Sequence, residues 1–218
     1  MSDIFIISAT KGAKEDTLLY KSSRNNELEI FFKENNKDSL QTVYNKAIDF
    51  AIRENVEYLV MVHDDVILEN VTRDKLIDNF ELFDMFGVAG TSEVKLQEPA
   101  LWHIMGGGIH SNNLHGAVAH LNGKRKSMTS FGTFPHRALM VDGVFMAVSR
   151  KVFKKVRFDE DCPCKFHFYD LDYSLSTHKA DFKVGVSDVY ITHASPGLKE
   201  FTEDFNKGSK WFLNKHKG

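Results

Sequence analysis

The sequence predicts an α/β fold with a central, mostly parallel sheet that is flanked by helices. Three short apolar segments, at residues 4–7, 28–32 and 58–62, alternate with polar turns and with one strongly amphipathic helix. Apolar strands that alternate with amphipathic helices are covered on both faces, as in a parallel sheet. Ligands of such sheets bind beyond the carboxyl ends of the strands, so those ends are where we look for a site.

Local patterns predict the individual elements along the chain. Apolar residues at helical spacing from Leu40 to Ile52 predict the first long helix, with Asp38 and Gln41 as its capping box. The segment 91–138 is rich in Gly, His and Asn and predicts an excursion of loops and short strands over one face. Further helices are expected over 74–83, 150–156, 171–179 and 200–215, and further strands over 86–90, 140–148 and 184–191.

Composition limits the class of protein. The chain has 218 residues, with 42% hydrophobic and 27% charged residues, and we expect a single domain over residues 1–218. Because 28 basic residues face 30 acidic ones, no nucleic acid partner is expected. The two cysteines, Cys162 and Cys164, match no redox or zinc motif and are expected to be reduced thiols.

The start of the chain predicts its location. Residues 1–7 lack the basic segment and the long apolar run of a signal peptide. The longest apolar run, over 58–62, is far shorter than the about 20 residues of a membrane span. We therefore expect a cytoplasmic protein without a transmembrane segment.

The segment His63-Asp64-Asp65 is the strongest candidate for a binding site, because it directly follows the apolar run that ends at Val62. Two adjacent carboxylates repel each other unless a cation neutralises them, so the pattern indicates a cation site. A solvated turn is the alternative. Oxygen ligands together with one imidazole favour Mg²⁺ or Mn²⁺ over a structural zinc.

A second pair of carboxylates, Asp170 and Asp172, lies at the start of the helix that we expect to begin near Leu171. Capping of the helix N-terminus explains one of them but not both. A carboxylate that faces the cleft at this position is a candidate general base. His193, at the end of the last predicted strand, is either a ligand or a turn residue.

The order of these motifs resembles the GT-A fold glycosyltransferases, in particular the family 2-like group, from Ile4 to about His193. The resemblance implies the GT-A fold, in which a D-x-D element binds a divalent cation and the nucleotide diphosphate. Asp65 matches the metal-binding last position of that element, Asp64 lies beside the nucleotide, and His63 replaces the first Asp. His193 resembles a late histidine that completes the metal site in several GT-A enzymes.

The resemblance also implies roles for other residues. Asp170 matches the catalytic base, preceded by Tyr169 where the family usually has Glu. On the acceptor side we expect Trp102, Asp142 and Asp172, with packing as the alternative for Trp102 and a turn as the alternative for Asp142. The residues expected to contact the nucleotide are Ser8, Ala9, Thr10, Glu34, Asn35 and Asn45.

The activity implied by the resemblance is sugar transfer from a nucleotide diphosphate sugar, with UDP-sugars favoured, to a glycan or other hydroxyl acceptor. The resemblance implies a divalent cation, Mn²⁺ or Mg²⁺, as cofactor, and inversion at the anomeric carbon. A metal-dependent phosphoesterase and a non-catalytic sugar-nucleotide-binding protein are the alternatives. The sequence leaves the sugar, the acceptor and the oligomeric state open.

Overall fold

The computed structural model describes residues 3–23, 28–195, 197 and 200–217. The helices in these ranges are α1 (Leu18–Ser23), α2 (Leu40–Arg53), α3 (Arg73–Leu82), α4 (Trp102–Met105), α5 (Arg150–Phe153), α6 (Tyr169–Lys179) and α7 (Glu203–His216). The strands are β1 (Ile4–Ala9), β2 (Ile30–Lys33), β3 (Tyr58–Val62), β4 (Val66–Leu68), β5 (Met85–Gly87), β6 (Ala89–Thr91), β7 (Leu114–Asn122), β8 (Arg125–Gly132), β9 (His136–Arg137), β10 (Met140–Val141), β11 (Phe145–Ser149), β12 (Val184–Val186) and β13 (Ile191–His193).

The larger of two sheets has seven strands in the order β2-β1-β3-β11-β5-β12-β9. Five of them run in the same direction, and β11 and β9 run against the rest. Apolar residues of α2 form a core cluster with one set of strand residues, while residues of α3 and α7 belong to a second cluster. The predicted class, α/β with a mostly parallel central sheet flanked by helices, is confirmed.

A second sheet of six strands corrects three of the predicted strands. Its order is β10-β6-β7-β13-β4, with β8 paired to β7. Each predicted strand over 86–90, 140–148 and 184–191 is in fact two strands that belong to different sheets. The segment 91–138 contains the long hairpin of β7 and β8. In these segments, apolar residues continue from a strand of one sheet into a strand of the other. The hydrophobic pattern therefore does not show where the chain leaves the first sheet.

Helix α2 follows the prediction except at its start. Its N-cap is Ser39, whose side chain accepts a hydrogen bond from the backbone N–H of Thr42 at 3.2 Å. Asp38 instead pairs with Lys46 at 3.1 Å, and Gln41 donates to the Cys164 carbonyl at 2.9 Å. The predicted capping box is therefore wrong by one residue. Within the described residues, no helix has the length and apolar character needed to cross a bilayer.

Strand pairing brings the ends of several elements to one place. Strands β1 and β3 run parallel, so the residues that follow them emerge at the same edge of the larger sheet. In the smaller sheet, β13 pairs with β4 so that His193 lies opposite Val66. The backbone N–H of Ala194 donates to the carbonyl of Asp65 at 2.9 Å, which joins the end of β13 to the turn after β3.

Candidate active site

Three side chains that could hold a metal ion converge where the two sheets meet. His63 follows β3, Asp65 precedes β4, and His193 ends β13. One ligand atom from each residue lies within 4.8 Å of the other two. Among the described residues, this is the group whose side chains are close enough together to hold a metal ion. Its members are the three residues that the sequence suggested as ligands.

The carboxylate of Asp65 has an oxygen that the protein leaves without a hydrogen bond. Oδ1 is buried and makes no aligned hydrogen bond, but it forms an ion pair with Nε2 of His193 at 3.2 Å. Burial disfavours the charge on Asp65, but His193 and His63 outweigh it and hold the pKa of Asp65 below its usual value. Burial also opposes protonation of His193, yet the Asp65 carboxylate raises the pKa of that imidazole.

The third side chain of the cluster, the imidazole of His63, has a lowered pKa and therefore favours its neutral form. Burial lowers the pKa of His63, although the nearby carboxylate of Asp65 acts in the opposite direction. A neutral imidazole presents a lone pair to a metal, and a carboxylate presents a negative oxygen. The donor set, one carboxylate oxygen that makes no hydrogen bond and two imidazoles, therefore fits a divalent cation.

Two cavities meet at this cluster. The smaller has a volume of about 110 Å³ and the larger, an open cleft, about 1120 Å³. Sites for small molecules commonly measure about 300 to 1,000 Å³, so the cleft is large enough for a substrate and the small cavity holds only part of one. The side chains that line both cavities are His63, Phe166, His193 and Ser195.

Asp170 lies on the cleft side, in the first turn of α6. The helix begins at Tyr169 rather than near Leu171, and Phe168, with φ of 68°, takes the N-cap position, so Asp170 is not a capping residue. Its Oδ2 accepts a hydrogen bond from the Gly143 N–H at 2.8 Å. Burial, together with the charge of Asp142, raises the pKa of Asp170 to about 7. A carboxyl that titrates near neutrality is suited to accept a proton in the cleft.

Asp142 and Trp102 form one unit on the wall of the cleft. Oδ1 of Asp142 accepts from the Val144 N–H at 2.9 Å, and Oδ2 accepts from Nε1 of Trp102 at 2.9 Å. Trp102 is 7% exposed, and its ring packs edge-on against that of Phe131, with 5.0 Å between the ring centres. The turn around Asp142 and the packing of Trp102 are thus both present, and both residues still line the cleft.

Asp172 does not reach the cleft. It is 2% exposed, and its two oxygens accept hydrogen bonds from His216 Nε2 at 2.8 Å and Lys215 Nζ at 2.9 Å. Residues two apart on a helix project from different faces, so Asp172 points away from the side that Asp170 occupies. The structure gives Asp172 a role in holding α7 against α6 in place of the predicted acceptor contact.

Of the residues predicted to contact the nucleotide at the end of β1 and after β3, two line the small cavity. Ala9 and Asp64 line it directly. The hydroxyl of Ser8 is buried and has no hydrogen-bond partner, whereas that of Thr10 accepts from the Gly12 N–H at 3.4 Å. The end of β1 and the turn after β3 therefore form one side of the candidate site.

Glu34, Asn35 and Asn45 contact other parts of the protein and line neither cavity. Glu34 accepts a hydrogen bond from the Lys14 N–H at 2.9 Å, and Asn35 adopts a left-handed turn with φ of 49°. The amide of Asn45 donates to Glu160 at 2.7 Å and bonds to the backbone of the loop after α5. Asn45 therefore fastens α2 to that loop, because its amide groups are already paired.

Phe166 is a site residue that the sequence analysis missed. It is 51% exposed, and the centre of its ring lies 5.5 Å from that of His63. It lines both cavities and stands at their junction. Its only signal in the sequence is its place in the aromatic run 166–169, directly before Asp170.

Solved structures show similarity to this chain at low identity. A197 from STIV has a TM-score of 0.50 and 13% identity, over 88% of this chain and 82% of that one, which shows a shared fold. A glycosyltransferase involved in the glycosylation of the major capsid of PBCV-1 has a TM-score of 0.36 and 13% identity, over 95% and 90% of the two chains. HddC from Yersinia pseudotuberculosis has a TM-score of 0.38 and 15% identity, over 96% and 79%. The last two values are too low to support a conclusion.

The family comparison covers most of the chain. No curated protein matches the sequence. A family model described as "Glycosyltransferase like family" matches residues 19–216. This match confirms the resemblance to glycosyltransferases that the order of the motifs indicated. The chain has the GT-A fold and belongs to the glycosyltransferase like family.

Proposed function

We propose that the protein is a metal-dependent, inverting glycosyltransferase that moves a sugar from a nucleotide diphosphate sugar to a hydroxyl acceptor. The observation that carries the proposal is the buried Oδ1 of Asp65, which has no aligned hydrogen bond and lies beside two imidazoles at the junction of two cavities. A buried carboxylate oxygen needs a cation or a donor beside it, and the ion pair with His193 meets that need only while the imidazole is protonated, whereas a bound metal ion would replace that proton. A cation here would lie between the donor side and the acceptor side.

His63, Asp65 and His193 would hold the cation. When bound, it would supply Lewis-acid stabilisation to the diphosphate leaving group, whose negative charge grows during transfer. Two imidazoles beside one carboxylate suit Mn²⁺ better than Mg²⁺, which prefers oxygen ligands. The described residues that line the small cavity include no lysine or arginine that could take this role.

The chain's own residues divide between the two substrates. Ala9 and Asp64 would contact the nucleotide donor in the small cavity, and UDP-sugars are the donors that we favour. Asp170 would accept the proton of the attacking hydroxyl, because its pKa of about 7 leaves a substantial unprotonated fraction at neutral pH. Asp142 would accept hydrogen bonds from other acceptor hydroxyls.

The positions of these groups support inversion. Asp170, the proposed base, lines the cleft, Asp65 lines the small cavity, and His63 and His193 line both. An acceptor hydroxyl in the cleft would then attack the anomeric carbon from the side opposite the diphosphate, in one displacement. Proton NMR of the first-formed product should give inverted anomeric configuration, and retained configuration would reject the role of Asp170 as base.

The test of metal dependence is calorimetry with UDP in the presence of Mn²⁺ or of EDTA. We expect binding with Mn²⁺ only, and no binding to Asp65→Asn. Asp74→Asn, which removes a carboxylate that is 93% exposed on α3, is the matched control and should bind UDP normally. Equal affinity with Mn²⁺ and with EDTA would overturn the metal dependence. Binding of a different nucleoside diphosphate in place of UDP would overturn only the choice of base.

A further inference from the structure

A chain of hydrogen bonds runs from His63 to Asp170 through a buried tyrosine. The hydroxyl of Tyr169 donates to the Gly143 carbonyl at 3.0 Å, and the same oxygen lies 2.7 Å from Nε2 of His63. The backbone N–H of the same glycine, Gly143, donates a hydrogen bond to Oδ2 of Asp170 at 2.8 Å. Gly143 therefore connects a candidate metal ligand with the candidate base.

Close packing holds this arrangement in place. Tyr169 is 3% exposed. A Cβ atom at Gly143 would lie 2.2 Å from the Tyr169 hydroxyl oxygen and 2.7 Å from Cβ of Asp170, which is closer than real contacts allow. Only glycine at position 143 leaves room for the tyrosine hydroxyl to approach the backbone.

The direction of these bonds determines which nitrogen of His63 carries the proton. A phenol has a single proton and a carbonyl oxygen can only accept, so the 3.0 Å contact between Tyr169 and Gly143 is a hydrogen bond only when the phenol proton is directed at that carbonyl. The Tyr169 oxygen can then only accept a hydrogen bond from His63, so Nε2 must carry the ring proton. A neutral imidazole has one N–H, and Nδ1 is left with its lone pair.

We propose that Tyr169 is a positioning residue that holds His63 in the Nε2–H tautomer and thereby leaves Nδ1 as the metal-binding nitrogen. Histidine ligands of metals commonly depend on a hydrogen bond from the second ring nitrogen to fix their tautomer and orientation. The part of this inference that concerns metal binding rests on the proposed function. The tautomer does not, because it is a property of the metal-free protein.

The tautomer is measured by NMR of the metal-free protein labelled with ¹⁵N-histidine, with His63→Gln used to assign the resonances. We expect Nε2 to be protonated and Nδ1 unprotonated in the unsubstituted protein. Tyr169→Phe should give a mixture of tautomers or the opposite one. Protonation of Nδ1 in the unsubstituted protein would overturn the proposal without any further variant.

Metal affinity gives the second readout, measured by electron paramagnetic resonance with Mn²⁺ alone. Loss of a hydrogen-bond partner behind a metal ligand typically costs about 10- to 100-fold in affinity, which we expect for Tyr169→Phe. The matched control is Tyr173→Phe, which removes a buried hydroxyl from the same helix, bonded to the Val156 carbonyl at 3.5 Å. It should leave both the Mn²⁺ affinity and the His63 tautomer unchanged.

The outcomes separate the two proposals. Unchanged Mn²⁺ affinity in a folded Tyr169→Phe, or an equal loss in Tyr173→Phe, would overturn the positioning role. If the unsubstituted protein binds no Mn²⁺ at all, the proposed function fails, and the NMR result alone then decides whether Tyr169 sets the tautomer of His63.

Discussion

The raised pKa of Asp170 predicts how replacing this residue changes stability with pH. Burial and Asp142 raise the pKa of Asp170 from 3.8 to about 7, so the folded protein binds this proton more tightly than the unfolded chain. A raised carboxyl pKa contributes stability at low pH that is lost as pH rises through the folded value. Asp170→Asn removes the titrating group and should therefore remove this part of the pH dependence.

The magnitude follows from the two pKa values. Between pH 5 and pH 8, a group with these folded and unfolded values loses about 2.5 kcal/mol of stabilising free energy. We compare the free energy of unfolding of Asp170→Asn with that of the unsubstituted protein at each pH. This difference should shift in favour of the variant by up to about 2.5 kcal/mol between pH 5 and pH 8. Effects of the substitution that do not depend on pH cancel in this comparison.

The assay is urea unfolding of both proteins at pH 5 and at pH 8. Asp74→Asn controls for the loss of one carboxylate, because that residue lies exposed on α3. If the stability difference between Asp170→Asn and the unsubstituted protein is the same at both pH values, the pKa of Asp170 is not raised. Asp170 would then be fully ionised near neutral pH and poorly suited to accept a proton there.

Three further predictions concern the transfer reaction, the wall of the cleft and the contact between α6 and α7. Asp170→Asn should bind donor normally while its transfer rate falls by about 10²- to 10⁴-fold, as measured by product formation at saturating donor; retention of full activity would contradict its role. Trp102→Phe removes the hydrogen bond to Asp142 and should raise the acceptor KM without changing donor affinity in calorimetry; a change confined to donor affinity would place this pair elsewhere. Asp172→Ala leaves His216 without its buried acceptor, whereas Lys215 keeps its ion pair with Asp159, so the free energy of unfolding in urea should fall by about 1 to 3 kcal/mol; a change within experimental error would show that the cluster does not hold α7.

Much of the fold could be predicted because the strands before the site are short, apolar and followed at once by polar residues. The run 58–62 and the end of the last strand have this form, and so Asp65 and His193 were recognisable as candidates before their proximity was known. Their pairing could not be predicted. It depends on the register of β13 against β4, which hydrophobicity alone does not encode.

The residues that sequence reasoning placed differently are held by polar contacts with distant parts of the chain. Asp172 pairs with Lys215 and His216 of α7, which are 43 and 44 residues further along the sequence. Asn45 and Glu160 are far apart in sequence, so the hydrogen bond that occupies the Asn45 amide has no local signal. Long-range polar pairs of this kind depend on tertiary packing.

The candidate metal-binding group also links the two sheets. A ligand bound there would oppose local separation of one sheet from the other. His63 extends from a strand of the larger sheet, whereas Asp65 and His193 adjoin strands of the smaller one. Any ligand that held the three together would add its binding free energy to the contact between the sheets. Amide hydrogen exchange in β4 and β13 would then slow on binding, while exchange in β2, at the far edge of the larger sheet, would not.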